Sequence, residues 1–290
     1  MNATGNDFII IDTREQYINN PGGLAVRLCN RNEGIGADSL VLVGKTDKAD
    51  GSMRFFNQDG TEGQMAGNAT RCVAKYLYDN NIGGVADRHS KNETTAEISI
   101  KTQAGVKRLK IYKLAGKTNT VTVNLGYAEF KPELIPTNLK ASHNANLDVD
   151  AVVNQKLTVD GKEYRVTSMN FGNPHAVVFC DFVDKIDLEK IGPMFEHHKS
   201  FPERVNTEFV RVVGPNELKM RTWERGNGET PACGTGACAA VVAAILNGYC
   251  KINQDITVNV RGGKLSVFYD GQEVFLTGNT NILFDGEVEI

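Results

Sequence analysis

The sequence predicts an α/β (α+β) fold built from two structurally equivalent halves, and three observations lead to it. One is the small-residue stretch Pro231-Ala232-Cys233-Gly234-Thr235-Gly236-Ala237-Cys238-Ala239-Ala240, followed by the apolar run Val241 to Leu246. It reads as a tight glycine-containing turn that opens a closely packed helix. Another is an internal repeat at one fixed offset, 233 − 66 = 167. It maps Cys233 onto Ala66, Gly234 onto Gly67, Gly236 onto Ala69 and Ala243 onto Tyr76. It also maps Met220-Arg221 onto Met53-Arg54, Glu229 onto Glu62, and Gly172-Asn173 onto Gly5-Asn6, each Gly-Asn leading into an apolar run. One ungapped register over 53 − 6 = 47 residues marks a duplication. The remaining observation is period-two alternation between residues 96 and 124, typical of strands, in Ile98 and Ile100, Leu109 and Ile111, Val121 and Val123.

In chain order, Gly5-Asn6-Asp7 forms a turn before the apolar strand Phe8 to Ile11. Because that turn comes so early, a short leading strand is expected to precede the sequence. Leu24 to Cys29 suits a short helix, and Gly34-Ile35-Gly36-Ala37-Asp38 a sharply turning loop. Ser39 to Val43 and Met53 to Asn57 are strands, the second closing in Gln58-Asp59-Gly60. A helix opens at Ala66 and runs to about Tyr78, where Asn80 to Gly84 supplies end signals. Gly105 and Gly116 mark turns between the alternating strands. The halves are expected to divide at 1–124 and 125–276, with a C-terminal strand over 277–290 returning to the first half. Pro132 to Asp150 is polar and weakly patterned. The second half then gives a hairpin around Asp160-Gly161, a strand over Ala176 to Phe179 and a helix over Asp187 to His197. Strands follow over Asn206–Val213 and Glu217–Trp223, then the turn Glu224 to Thr230, the Cys233 helix, and strands over Ile256–Val260, Lys264–Tyr269 and Glu273–Leu276.

With 290 residues, the chain is long enough for two domains. Its 41% hydrophobic and 23% charged residues are ordinary for a soluble protein. A net charge of −3 with scattered Lys and Arg gives no nucleic-acid footprint. No apolar run approaches the ~20 residues that span a bilayer, and no secretory leader is visible. Six cysteines without a C-x-x-C pair read as free thiols in a cytoplasmic protein. No zinc pattern, P-loop or dinucleotide fingerprint occurs, so neither a metal nor another cofactor is expected.

A cysteine at a helix start lies beside unpaired N–H groups and the positive end of the helix dipole, which favour thiolate. The same N–H groups can hold a carboxylate. The repeat therefore suggests one site at each helix start, the two facing each other across a cleft, with Cys233 in one and Ala66 in the other. Each residue also has a plainer reading. A cysteine among small residues is commonly just packed, an Asn in a turn commonly serves backbone geometry, His175 after Pro174 could be a satisfied turn histidine, and Glu224-Arg225 a solvated ion pair. Cys72 and Cys238 are read as packed thiols, Cys29, Cys180 and Cys250 as buried, and His197-His198 as helix surface.

Gly5-Asn6-Asp7-Phe8, Phe56 to Gly60, Gly67-Asn68-Ala69-Thr70-Arg71-Cys72, Gly172-Asn173-Pro174-His175, and Glu224 to Thr230 with Ala232 to Ala239 follow one another at compatible spacing over essentially the whole chain. Together they resemble the diaminopimelate epimerase family. The resemblance implies a duplicated fold in which each half is a mixed or antiparallel sheet wrapped around a central helix. It implies a homodimer and a cofactor-independent interconversion of LL- and meso-diaminopimelate in lysine synthesis. Inverting an α-carbon takes a proton from one face and returns one to the other, which suits two opposed acid–base groups. In the family two cysteines do this. Cys233 matches one, and Ala66 occupies the position of the other. By resemblance, Asn6, Asn57, Asn173, Asn206 and Arg225 hold the substrate, with the Arg225 fork suited to the distal carboxylate. His175 and Glu224 match the pair supporting the cysteines and the α-amino group. Gly67-Asn68 and Gly234-Thr235 match the N–H donors to the α-carboxylate.

A methyl cannot carry a proton, so the chain is expected to be inactive or impaired. Ala66 reads either as an engineered change, the preferred explanation, or as natural divergence. Two alternatives stand beside the epimerase: a racemase of another amino acid in the same family, and a non-catalytic amino-acid-binding relative.

Overall fold

The computed structural model describes residues 1–63, 66–89 and 93–289. The chain divides into two units, Met1–Asn124 with Thr277–Ile290, and Leu125–Leu276.

In the first unit, β1 (Asn2–Ala3) turns back into β2 (Asn6–Asp12), then α1 (Pro21–Cys29), β3 (Ser39–Gly44), β4 (Gly51–Asn57), β5 (Glu62–Gly63) and α2 (Gly67–Asp79). β6 (Thr95–Thr102), β7 (Gly105–Leu114) and β8 (Lys117–Tyr127) follow as an antiparallel meander. The opening turn does leave room for a strand. Asn2 and Ala3 pair antiparallel with Asp7 and Asn6, the reversal made by Thr4 and Gly5 at φ 53° and 91°. β2 and β3 run parallel, with β4 antiparallel to β3. Leu24, Ala25 and Leu28 of α1 join Leu40, Leu42 and Phe56 in one core.

The second unit holds β9 (Ser142–Asn144), β10 (Val149–Val159), β11 (Lys162–Asn170), β12 (Pro174–Phe179), α3 (Leu188–Glu196), β13 (Asn206–Gly214), β14 (Glu217–Glu224), β15 (Gly228–Thr230) and α4 (Gly234–Leu246). β16 (Asp255–Val260) and β17 (Gly263–Tyr269) follow, and β18 (Glu273–Asn279) begins in this unit and ends in the segment Thr277–Ile290 of the first. β12 and β13 are parallel, and the flanking pairs, β11 with β12 and β13 with β14, are antiparallel. Phe195 and Phe209 meet edge to face in the core, alongside Leu157, Leu188 and Trp223.

The offset seen in the sequence is a structural register. α3 begins at 188 − 21 = 167 residues after α1, and α4 at 234 − 67 = 167 after α2. The parallel pair Phe8↔Ser39 recurs as His175↔Asn206, both shifted by 167 since 175 − 8 = 206 − 39 = 167. Asn20 caps α1 by accepting from the Gly23 amide, and its counterpart Asp187 caps α3 from Lys190. Even an ion pair is duplicated, Arg54–Glu62 and Arg221–Glu229, each at 2.8 Å. The register ends after the helices, where β16 follows β6 by 255 − 95 = 160.

α2 and α4 are buried over almost their whole surface, against strands of their own unit. A helix apolar on all sides, as α4 is, belongs inside a fold. α2 achieves the same burial with polar residues. Lys75 donates to Asp79 at 2.6 Å and to the Thr118 carbonyl at 2.9 Å. The chain's end departs from expectation. β18 finishes at Asn279, Asn281 makes one bridge to Asn2, and residues 282–289 form no strand. Ile282-Leu283-Phe284 is an apolar triplet without alternation, and all three are exposed. Ile290 lies outside the described residues.

Candidate active site

Strand alternation builds the half-site of the second unit. Asn206 and Glu208 are two residues apart on β13, and Thr222 and Glu224 two apart on β14, so each pair shares a face. The register sets Glu208 opposite Thr222, whose hydroxyl lies 3.4 Å from Glu208 Oε1. His175 on β12 turns its ring toward them, with Nδ1 2.8 Å from Glu208 Oε1 and Nε2 3.1 Å from the Asn173 amide. Both His175 and Glu208 are fully buried.

Cys233 is the N-cap of α4, extended at φ −110° and ψ 116°, and its Sγ accepts from the Gly236 N–H at 3.3 Å. The Thr235 hydroxyl lies 3.5 Å from the sulfur. Gly236 is required by its surroundings, since a Cβ there would lie 2.6 Å from Glu208 Oε1 and 3.1 Å from Cys233 Cβ. The first turn of α4 thus rests on the buried carboxylate. Gly234 and Thr235, the first residues of the helix, have N–H groups without an i−4 partner in it.

The electrostatics reverse the thiolate expectation. Burial pushes the Cys233 thiol well up, and Glu224 and Glu208 add to this, while the Thr235 hydroxyl and Gly236 N–H pull down less. A helix terminus contributes ~0.3–2 kcal/mol, too little here against desolvation and two nearby carboxylates. Glu224 is also raised, by burial first and then by Glu208, with Thr230, His175 and Cys233 opposing. The Thr230 hydroxyl donates to Glu224.

The turn that carries Glu224 and Arg225 is pinned by Glu196. Its carboxylate accepts from Trp223 Nε1 at 2.8 Å and from the Gly226 N–H at 3.0 Å. Asn206 Oδ1 accepts the Arg225 N–H at 2.7 Å, and its buried Nδ2 has no hydrogen-bond partner among the described residues. The Arg225 guanidinium donates to the Glu203 carbonyl at 3.0 Å, so among the described contacts it makes no ion pair with Glu224.

The half-site of the first unit has the same backbone and different chemistry. Ala66 is the N-cap of α2, extended at φ −135° and ψ 117°, with no side-chain cap. Its carbonyl accepts from the Thr70 N–H at 2.9 Å and the Thr70 hydroxyl at 2.8 Å. Gly67 and Asn68 begin the helix. Arg71, fully buried, donates to Asn68 Oδ1; Asn68 Nδ2 donates to Asn6 Oδ1 at 2.6 Å, and Asn6 Nδ2 to Asp38 Oδ2 at 3.0 Å. Each amide is held by a fixed donor or acceptor, which sets which end faces which neighbour. Asn57 closes β4 in a turn, its Nδ2 2.9 Å from the Thr61 hydroxyl.

Within their own units, the structure therefore gathers Asn6, Ala66, Gly67 and Asn68 in one, and Asn173, His175, Glu224, Cys233, Gly234 and Thr235, with Asn206 and Arg225 beside them, in the other. Sequence reading missed Glu208, Thr230, Asp38 and Arg71 as part of these clusters. A signal for Glu208 was present, since it is a charge two residues after Asn206, on the same strand face, immediately before the apolar pair Phe209-Val210. Cys72 is fully buried, with its thiol pushed up to about 12 by desolvation. Cys29 and Cys250 are buried, whereas Cys180 is only half-buried, a departure from the sequence reading. Among the described residues no group of three or more metal-ligating side chains converges, and no helix is long and apolar enough to cross a membrane.

The comparisons agree with one another. The family model described as diaminopimelate epimerase matches residues 1–131 and 167–283. Diaminopimelate epimerases of Agathobacter rectalis and Desulfovibrio desulfuricans are each 42% identical over 292 residues, covering 100% of this chain and 98% and 97% of theirs. That of Methanococcus maripaludis is 40% identical over the same span. Among solved structures, a Bacillus anthracis phenazine biosynthesis protein of the PhzF family superposes with a TM-score of 0.65 at 15% identity, covering 96% of this chain and 93% of that one. A hydroxyproline epimerase from Agrobacterium vitis gives 0.60 at 16%, covering 90% and 79%. At such identities the likeness is one of fold, and it agrees with the mixed α/β architecture of the two units. From the matched model and the full-length relatives together, this chain belongs to the diaminopimelate epimerase family.

Proposed function

We propose that the chain takes 2,6-diaminopimelate as its substrate, with Cys233 as the acid–base group on one face of the α-carbon and no counterpart at Ala66. On this reading it exchanges the α-proton on one face but does not invert the centre at a useful rate. The observation that supports it best is the pair of N-caps. Cys233 Sγ accepts from the Gly236 N–H at 3.3 Å with Glu208 and Glu224 nearby, whereas Ala66 makes no side-chain cap on its own helix. The N–H groups of Gly234 and Thr235, and those of Gly67 and Asn68, which have no i−4 partner in their helices, suit a carboxylate that becomes more electron-rich as the α-proton leaves. Arg225 suits the distal carboxylate, and Asn6, Asn57, Asn173 and Asn206 the remaining polar groups of the substrate.

Chemically, the thiol donates or its thiolate accepts the α-proton, with Glu224 at hand to take the thiol proton first. Removing that proton from a raised-affinity thiol needs the positive charge of the substrate ammonium nearby, which favours binding before ionisation. The finer expectations follow from the same reading: no pyridoxal phosphate, a step in lysine synthesis, a homodimer, a cytoplasmic location. A non-catalytic amino-acid-binding role is the second reading, and Ala66 is the observation that favours it.

The test is α-proton exchange in D₂O by NMR, on LL- and meso-diaminopimelate, for this chain and for Ala66→Cys. A restored second acid is expected to raise inversion by at least ~10²-fold, the usual worth of a placed acid or base. Binding without exchange in either protein supports the binding role. Exchange on other amino acids instead points to a racemase of different specificity.

A further inference from the structure

Glu208 is a carboxylate with no side-chain access to solvent, set between Thr207 and Phe209 in a strand whose neighbours are buried. Placing an ionised group there costs several kcal/mol unless it is paired. Its Oε1 takes the His175 Nδ1 at 2.8 Å and Thr222 at 3.4 Å, while Oε2 has no hydrogen-bond partner among the described residues. The fold makes room for it by having glycine at 236, in the first turn of α4, where a methyl would collide with Oε1. Above it lies the N-cap sulfur.

The duplication provides a comparison within the molecule. At the offset of 167, Glu208 corresponds to Val41, since 208 − 167 = 41, His175 to Phe8, Glu224 to Asn57 and Cys233 to Ala66. At these four positions the ionisable groups all occur in the half with the thiol. In the half with the methyl, the same positions are apolar or neutral. Packing alone is met by Val41 and Phe8, both buried, so packing does not explain a glutamate and a histidine at 208 and 175.

We propose that Glu208 is a positioning residue of the Cys233 half-site, which fixes the His175 ring through Nδ1 and sets the charge beneath the sulfur. With Nδ1–H committed to Glu208, rotation of the ring is blocked, and Nε2 is the nitrogen left on the Asn173 side. The carboxylate also keeps the sulfur protonated until substrate arrives, so that Cys233 waits as an acid. This rests on the proposed proton transfer at Cys233, but it is tested without substrate.

The experiment uses the full chain and its Glu208→Gln, Glu208→Asp and His175→Gln variants. Proton NMR with ¹⁵N-labelled histidine reads the His175 ring proton, which is expected to be slow to exchange in the parent and to disappear in His175→Gln. Mass-resolved alkylation of Cys233 with iodoacetamide against pH reads the thiol, because thiolate is the reacting form. Glu208→Gln keeps the shape and removes the charge. It is expected to shift the ring proton and to alkylate about tenfold faster at a fixed pH below the midpoint, equivalent to about one pH unit. Glu208→Asp, which restores the charge, is expected to return the alkylation rate to within about threefold of the parent. An unchanged ring proton in Glu208→Gln overturns the proposal, as does an alkylation rate within about twofold of the parent. If Glu208→Gln does not fold, Glu208→Asp decides by the ring proton alone, whose loss there would overturn the proposal. A positive result with no exchange on diaminopimelate refutes the substrate assignment and leaves Glu208 in its role.

Discussion

Replacing Gly236 by alanine isolates the contact between α4 and Glu208. The Cβ would arrive 2.6 Å from Oε1, and ordinary contact begins near 3.4 Å, so the carboxylate must retreat by 3.4 − 2.6 = 0.8 Å. Added to the present 2.8 Å from His175 Nδ1, a retreat along that line gives 3.6 Å, at which the hydrogen bond is lost. A hydrogen bond to a charged group contributes ~1.5–3 kcal/mol, and overpacking adds ~1–3 kcal/mol. Against this, alanine is a better helix former than glycine by ~1 kcal/mol. Taking ~2 for each penalty, the net loss is about 3 kcal/mol, or roughly 6–12 °C in Tm for a unit of this size. Thermal melting followed by circular dichroism measures it. The first unit supplies the control. Ala69 sits at the matching position, 236 − 167 = 69, Val41 at that of Glu208, 208 − 167 = 41, and both are fully buried. Ala69→Gly is also expected to destabilise, by ~2 kcal/mol from lost propensity and one buried methyl. Glu208→Ala makes room for the new methyl, so it and Gly236→Ala together should cost about 2 kcal/mol less than their sum. A Gly236→Ala protein that melts at or above the parent temperature, or strict additivity in the pair, would refute the reasoning.

Glu224→Gln should change the pH dependence of stability. The folded carboxyl is raised above its ordinary 4.5 by burial and Glu208, so its stabilising contribution is full below that value and is lost as pH rises through the raised one. The variant is therefore expected to gain on the parent in Tm across that window and to match it at lower pH; a constant difference refutes the sign. Glu229→Gln should cost about 2–3 kcal/mol and Glu62→Gln under ~1 kcal/mol, because the first ion pair is far less exposed, and urea denaturation of the two variants reads the contrast. Arg225→Ala is expected to weaken diaminopimelate binding at least tenfold by calorimetry with Tm changed by less than ~3 °C, since the side chain's only described hydrogen bond is to one carbonyl. An equally large loss of stability would mark Arg225 as structural.

The duplicated elements were legible because a fixed offset survives any error in locating their ends. The same offset places Ala66 and Cys233 at matching helix starts, and both are N-caps, because glycine and small residues mark a helix start strongly. The site's polar chemistry was less legible. Asn6, Asn68 and Arg71 are far apart in sequence, and their amide chain exists only through three-dimensional contact. The thiol's protonation was misread for a related reason: the helix start is visible in sequence, whereas Glu208 and Glu224 beneath it arrive from two other strands. The final residues were overread as a strand because apolar content was counted without its period. β1 was missed because two residues are too few to show one.

The first unit takes its residues from both ends of the chain. Asn2 exchanges two backbone hydrogen bonds with Asn281 at 2.8 Å, and the Thr122 hydroxyl meets that of Thr277 at 2.5 Å. During synthesis the first 124 residues must wait for Thr277 and Asn281, while residues 125–276 emerge as one uninterrupted segment. At ~5–20 residues per second that interval lasts roughly 8–30 s. The half made first is completed last, so the nascent N-terminal segment is the one exposed to chaperones and proteases, and truncating the last dozen residues should damage the beginning of the protein more than its end.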